Sequence, residues 1–150
     1  MIVENLTDVG ITYHEDEAGA QETLEAVEAA GRRGEIRHLD LTEPNLPEAA
    51  SVIDYLADAL GGLDVLVNNA GTGDPTEDFL ELSYDEWRRV MDTNLDGAFL
   101  CSQRAAKKMI DAGNGGSIVN ITSETFFEER VEGGTVIPNR CSMLATACTV

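Results

Sequence analysis

The sequence predicts an α/β domain built on an open, mostly parallel sheet with helices on its faces. Three observations lead there. Short apolar runs alternate with amphipathic stretches from residue 8 to residue 121, which is the signature of repeated βα units. Hydrophobic residues make up 43% of the chain and aromatics only 5%, so the core must be assembled from Val, Ile, Leu and Ala, as buried parallel strands are. Gly31, Gly61-Gly62 and Gly115-Gly116, with Pro44 and Pro47, fall at joints between these runs.

The elements follow in order. Residues 8–13 (DVGITY) read as a short strand. Residues 15–30 carry Leu24 and Val27 at helical spacing with acids between them, and Gly31 stops the helix. Residues 35–39 (EIRHL) alternate as a second strand that ends at Asp40-Leu41-Thr42. Pro44 and Pro47 mark a turn and a helix start. Val52, Ile53, Leu56, Ala59 and Leu60 form the apolar stripe of that helix, closed by Gly61-Gly62. Val65-Leu66-Val67 is the third strand, and it runs directly into Asn68-Asn69-Ala70-Gly71.

Ser83-Tyr84-Asp85-Glu86 is a capping box, in which the serine oxygen accepts the N3 amide and the glutamate reaches back to the cap. The long helix that it opens places Trp87, Val90, Met91, Leu95, Ala98, Cys101, Ala105 and Met109 on one face, which must be core or interface. Asn114-Gly115-Gly116 turns the chain into a last strand, residues 117–121, ending at Thr122-Ser123. The order is β, α, β, α, β, α, β, followed by a tail with no assignable element.

Charge excludes one class of function. Acidic residues number 28 against 10 basic, a net charge of −18, and such a surface repels phosphate backbones, so nucleic acid is not an expected partner. The basic residues are eight arginines and two lysines, Lys107 and Lys108. An acid-rich, lysine-poor surface resembles the proteins of salt-accumulating halophiles, in which screening tames self-repulsion. The three cysteines, Cys101, Cys141 and Cys148, have no ligand-like spacing, so neither a metal site nor a disulfide framework is expected. No apolar run reaches membrane length and no signal peptide is recognisable. These features point to a reducing cytoplasm, with Cys101 as a small core residue.

The corner Asn68-Asn69-Ala70-Gly71 carries the chemistry. In an open parallel sheet, ligands sit in the crevice beyond the carboxyl ends of the strands, where backbone and short amides can approach a cofactor closely. Gly71 lets the chain leave its strand without a Cβ clash. The block DVLVNNAG is followed by MDTNLDGAF in the long helix and then by GGSIVNITS. These three blocks, with the strand end at Asp40-Leu41 before them, resemble the classical short-chain dehydrogenase/reductase family over about residues 1–123.

That resemblance implies a Rossmann-like fold, a doubly wound parallel sheet with flanking helices, that binds NAD or NADP and moves hydride between nicotinamide and an alcohol or carbonyl carbon. Carried over by position, it implies that Asp40 accepts from the adenine amino group with the Leu41 amide beside it. Asn68 would hold the loop over the adenosine ribose, and Ala70 and Gly71 would shape the cofactor floor. Asn94 matches the asparagine that kinks its helix and holds a water of the proton relay. Ser123 matches the catalytic serine that hydrogen-bonds the substrate oxygen. His14, at a strand end where the family chooses between the 2′-hydroxyl of NAD and the 2′-phosphate of NADP, tilts the expectation toward NADP, although Glu15 and Asp16 follow it.

The chain departs from the family's pattern in two places. The glycine-rich turn T-G-x-x-x-G-x-G, whose amides and helix dipole hold the pyrophosphate, is absent, and residues 1–6 resemble the end of the helix that follows it. The expected sheet is therefore incomplete, lacking its first strand and the glycine-rich turn. With a family strand order of 3-2-1-4-5, the strands around Ile11 and Leu66 would each lose a ladder partner. The family's acid/base is a tyrosine in Y-x-x-x-K about thirteen residues after the serine, but counting from Ser123 reaches Val136 and then Arg140. Tyr13, Tyr55 and Tyr84 all precede Ser123. Valine moves no proton, and arginine does not replace a compact ammonium.

Residues 135–150 (TVIPNRCSMLATACTV) contain no acid, unlike the rest of the chain. The expectation is a partial NAD(P)-binding domain over 1–123 and a divergent or frame-shifted tail over 124–150. A frame slip predicts a Tyr-x-x-x-Lys in another reading frame of the DNA.

Two functional readings result. One is a fragment of an NAD(P)-dependent oxidoreductase acting on a small alcohol or carbonyl compound, with little or no activity as written, and a homo-oligomer through the helix at 84–110. The other is a non-catalytic binding or assembly subunit that uses that helix as an interface.

Overall fold

The computed structural model describes residues 8–73 and 79–121, together with the backbone of 130–131, 134–135 and 148–149. Strand β1 (Val9–Tyr13) leads to helix α1 (Glu17–Ala29) and strand β2 (Gly34–His38). Helices α2 (Leu46–Ala49) and α3 (Val52–Leu60) precede strand β3 (Val65–Asn68). A single 3₁₀ turn (Phe79–Glu81) precedes α4 (Tyr84–Met91), a π-helical segment (Asp92–Gly97), α5 (Ala98–Ala112) and strand β4 (Ser117–Asn120). Three two-residue strands follow: β5 (Arg130–Val131), β6 (Gly134–Thr135) and β7 (Cys148–Thr149).

Local chemistry sets the helix ends. The Asp16 carboxylate accepts the Gly19 amide at 2.9 Å and so caps α1. At α4 both halves of the capping box are present, with the Ser83 hydroxyl accepting the Glu86 amide and the Glu86 carboxylate accepting the Ser83 amide at 2.9 Å. Gly61 and Gly113 close α3 and α5 in the left-handed conformation, with φ of 87° and 75°, which glycine adopts without a Cβ penalty.

The sequence predicts one helix around residues 47–60 and one from 84 to 110, and both are interrupted. The first is divided at Ala50–Ser51. The second widens into the π segment, which carries an extra residue per turn and shifts α5 relative to α4.

β1 and β2 pair in parallel, Val9 with Gly34 through Tyr13 with His38. β3 and β4 pair in parallel, Val65 with Ser117 through Asn68 with Asn120, and β7 joins β4 antiparallel. Among the described residues no ladder joins β1 to β3. Both strands line two cavities between the sheets. One, of about 330 Å³, lies at their N-terminal ends beside Ile53, Leu56 and Ala57, and the other, of about 260 Å³, at their C-terminal ends. The expected gap in the sheet is thus present among the described residues, with α3 lining the cavity at its N-terminal end.

The core is aliphatic. Leu39, Leu41, Ala50, Ile53, Leu66, Cys101, Ala105, Met109 and Ile118 form one buried cluster drawn from β3, β4, α3, α5 and the segments that follow β2 and α2. Burial of Cys101 pushes its thiol up to about 11, so it packs as a small apolar residue. On β3 and β4, Leu66 and Ile118 face this core while Val65, Val67, Val119 and Ile121 are exposed on the opposite face.

Candidate functional site

The corner after β3 is fixed from both sides. The Asn68 amide donates to the Ser102 hydroxyl of α5 and to the Asn120 amide oxygen of β4, each at 2.8 Å. It also lies 3.5 Å from the Ala98 carbonyl. The Asn68 carbonyl accepts the Ile121 amide at 2.9 Å. One side chain at a strand end therefore ties β3 to its neighbouring strand and to the helix behind it.

Four residues further on, Thr72 is held by its backbone from Asn94. The Asn94 amide oxygen accepts the Thr72 N–H at 2.8 Å, and its nitrogen donates to the Thr72 carbonyl at 2.9 Å. Asn94 lies inside the π segment, where the wide turn presents it to the loop. Gly71 sits against it, since a Cβ there would lie 3.5 Å from the Asn94 oxygen. Gly97, in the same segment, is needed for packing. A Cβ at that position would come within 2.9 Å of Leu41 and 3.2 Å of the Asp92 carbonyl.

The strand end at Asp40 is arranged by its own turn. One carboxylate oxygen accepts both the Thr42 hydroxyl and the Thr42 amide at 2.7 Å. The other oxygen lies 3.5 Å from His14 Nε2. The Thr42 hydroxyl, the Thr42 amide and the nearby histidines hold the Asp40 carboxyl below the usual carboxylate range, against partial desolvation. His14 is exposed and its ring lies 5.9 Å from that of His38. Leu41 is buried and contributes its side chain to the core.

Of the residues singled out in the sequence, Leu41, Asn68 and Ala70 line the same cavity of about 260 Å³. Gly71 and Asn94 meet at Thr72, beside that corner. Asp40 and His14 meet at the ends of β1 and β2. Ser123 lies outside the described residues, as do Val136 and Arg140.

Sequence reading did not single out Ser102, Asn120, Thr72 or Arg89. Asn120 sits within the block GGSIVNITS and occupies the same register position on β4 as Asn68 on β3, which is a signal that a pairing of the two blocks would have revealed. Among the described residues no cluster of His, Cys, Asp and Glu could hold a metal ion, and no helix is long and apolar enough to cross a membrane.

Comparison with known proteins gives concordant matches. A family model described as short chain dehydrogenase matches residues 2–135. An uncharacterized oxidoreductase of Escherichia coli, YohF, is 51% identical over 116 residues, covering 77% of this chain and 45% of the relative. The crystal structure of an acetoin dehydrogenase from Enterobacter cloacae is 50% identical with a TM-score of 0.76, covering 82% of this chain and 48% of that one. A short-chain dehydrogenase from Burkholderia cenocepacia, solved in complex with NADP, is 32% identical with a TM-score of 0.65, covering 71% of this chain and 42% of that one. The chain spans a little under half the length of these relatives.

Proposed function

This chain belongs to the short-chain dehydrogenase family, and from that premise we propose that it carries the adenosine-side half of an NAD(P) site of an oxidoreductase acting on a small alcohol or carbonyl compound. The observation that carries this reading is the corner after β3, where Asn68 and Asn94 fix the backbone on both sides of Ala70 and Gly71.

The residues present fit the adenosine end of a dinucleotide. Asp40 is held ionised, and the oxygen facing away from Thr42 keeps acceptor capacity for an adenine amino group. Ala70 and Gly71 are exposed and small, which suits close approach by a planar cofactor. Bound NAD(P) would supply the hydride-carrying nicotinamide. Asn68 and Asn94 would keep the floor rigid, and Ser123 would hydrogen-bond the substrate oxygen. The sequence offers no glycine-rich turn for the pyrophosphate and no tyrosine at the acid/base position, so the 150 residues alone should bind dinucleotide weakly and turn over little substrate.

The same reading favours NADP. Asp16, the acid nearest to repelling a 2′-phosphate after Glu15, is turned into its own helix as the cap of α1, whereas His14 stays exposed at the strand end. The similarity to an acetoin dehydrogenase suggests a small hydroxyketone as substrate. The domain boundary is proposed near residue 123, with the remainder a divergent or frame-shifted tail.

The long helix supports a further part of the proposal. Leu95, Phe99 and Ile110 are exposed at helical spacing along the π segment and α5, with Tyr84 and Trp87 exposed before them. An apolar stripe of that kind fits a homo-oligomer, or an assembly subunit without catalysis.

Fluorescence titration with NADPH and NADH, followed by an acetoin assay beside the Enterobacter relative, tests the reading. Saturable dinucleotide binding with turnover more than about 100-fold below the relative is expected from the loss of a general acid. Oligomerisation without any dinucleotide binding would favour the assembly reading instead.

A further inference from the structure

The loop Gly71–Gly73 is held by a second side chain besides Asn94. Arg89, half-buried on α4, donates from Nη1 to the Thr72 hydroxyl at 2.9 Å and from Nη2 to the Gly73 carbonyl at 3.0 Å. Thr72 therefore has its N–H, its carbonyl and its hydroxyl all engaged, and Gly73 has its carbonyl engaged. The two side chains that do this are five residues apart. In an unbroken α-helix they would point about 140° away from one another, and the wide turn that begins at Asp92 lessens that angle so that both reach one residue. In a chain of net charge −18, a guanidinium committed to a neutral hydroxyl and a carbonyl is performing a geometric task. Only a planar fork with two separated donors can span both acceptors at once.

We propose that Arg89 is a positioning residue for the dinucleotide site: together with Asn94 it clamps Thr72 and Gly73, so that Ala70 and Gly71 are in their binding shape before any ligand arrives. The inference rests on the proposed function for its ligand, but its geometry stands separately. A loop ordered in advance loses less freedom on binding, and the gain appears as affinity.

The test uses the full chain with Arg89→Met, which keeps the apolar stem and removes the fork, and Arg89→Lys, which keeps the charge as a single point. Amide exchange at Thr72, the melting temperature and NADPH titration are measured on each. The expected result is Thr72 exchange accelerated at least tenfold and an NADPH Kd weakened about five- to tenfold in Arg89→Met, with melting shifted by no more than about 2 °C, and no rescue by lysine. A merely structural arginine would lose affinity only in step with its melting temperature. Unchanged Thr72 exchange in Arg89→Met overturns the clamp. Faster exchange with unchanged NADPH affinity overturns its role in binding. If the unsubstituted chain binds neither dinucleotide while exchange still responds to Arg89, it is the functional reading that has failed and the clamp is purely architectural.

Discussion

Single residues carry the specificity of the proposed site. His14 is the one basic group in the strand-end motif Tyr13-His14-Glu15-Asp16, and its nearest described partner is the Asp40 carboxylate at 3.5 Å. If it meets a 2′-phosphate, His14→Ala should abolish any preference for NADPH over NADH while leaving NADH affinity within about twofold; the ratio of the two dissociation constants at pH 6.5 is the measurement. An unchanged ratio would remove His14 from the site. The role proposed for Asp40 comes from the family resemblance at the strand end Asp40-Leu41. The lowering of its pKa was not readable from the sequence, because the cause is a turn in which Thr42 gives one carboxylate oxygen two hydrogen bonds. Arg89 was not legible at all. Its partners are 16 and 17 residues away, and nothing in helical periodicity marks a polar residue that reaches back to a loop.

At the scale of elements, packing decides which substitutions are tolerated. Gly116 precedes β4 where a Cβ would lie 2.8 Å from the Asp64 carbonyl and also strike Met109, which is fully buried. Backbone at that distance cannot yield cheaply, so Gly116→Ala should destabilise by roughly 1–3 kcal/mol, the usual range for overpacking. At Gly73 a Cβ would meet nothing within 4 Å, and Gly73→Ala should stay within about 0.5 kcal/mol. Urea unfolding of the two variants decides the comparison.

Strands β1 to β4, the helix stops and the capping box at Ser83 were readable, because each rests on residues within a few positions of one another, whereas β5, β6 and β7 fall in the tail to which no element was assigned. The break at Ala50–Ser51 and the π segment at Asp92–Gly97 were not. Sequence spacing there fits a continuous helix, and what departs from it is the tertiary setting, with Gly97 against Leu41 and Asn94 against Thr72. Similarly, the stripe from Trp87 to Met109 divides in the fold. Val90, Ala98, Cys101, Ala105 and Met109 are buried, whereas Trp87 and Leu95 are exposed.

The whole molecule is governed by its charge and its divided sheet. With a net charge of −18, self-repulsion opposes compaction at neutral pH, and raising salt from 0.1 to 1 M shortens the screening length from about 10 to about 3 Å. The melting temperature should therefore rise by several degrees over that range of KCl. The surface ion pairs that salt weakens, such as Arg33 with Asp8 and Lys107 with Asp111, are solvent-exposed and contribute too little to reverse the sign. A melting temperature that falls with salt would contradict the halophile-like reading.

Acid acts in two opposed ways. Protonating exposed carboxylates relieves repulsion, but Asp8, held low chiefly by its hydrogen bonds to Arg33, and Asp40, held low chiefly by Thr42, have folded pKa values below the ordinary 3.8. Their contribution is present above 3.8 and is lost as pH falls through their lower folded values. The urea midpoint should accordingly be maintained or rise from pH 7 to about 4, then drop below 3.8. A midpoint that keeps rising below pH 3 would show that the paired carboxylates contribute nothing.

The open gap between β1 and β3, and the exposed face bearing Val65, Val67, Val119 and Ile121, leave less apolar surface buried than a closed sheet would. Against that background, the corner after β3 is braced by side-chain hydrogen bonds from Asn68 and Asn94. The most direct measurement is a map of backbone amide shifts in the folded chain titrated with NADPH. Perturbations gathered at Leu41, Asn68, Ala70, Gly71 and Thr72, with the core around Met109 unmoved, are the predicted result. Shifts scattered over the acidic surface, or none at these five amides at saturating NADPH, would contradict the account.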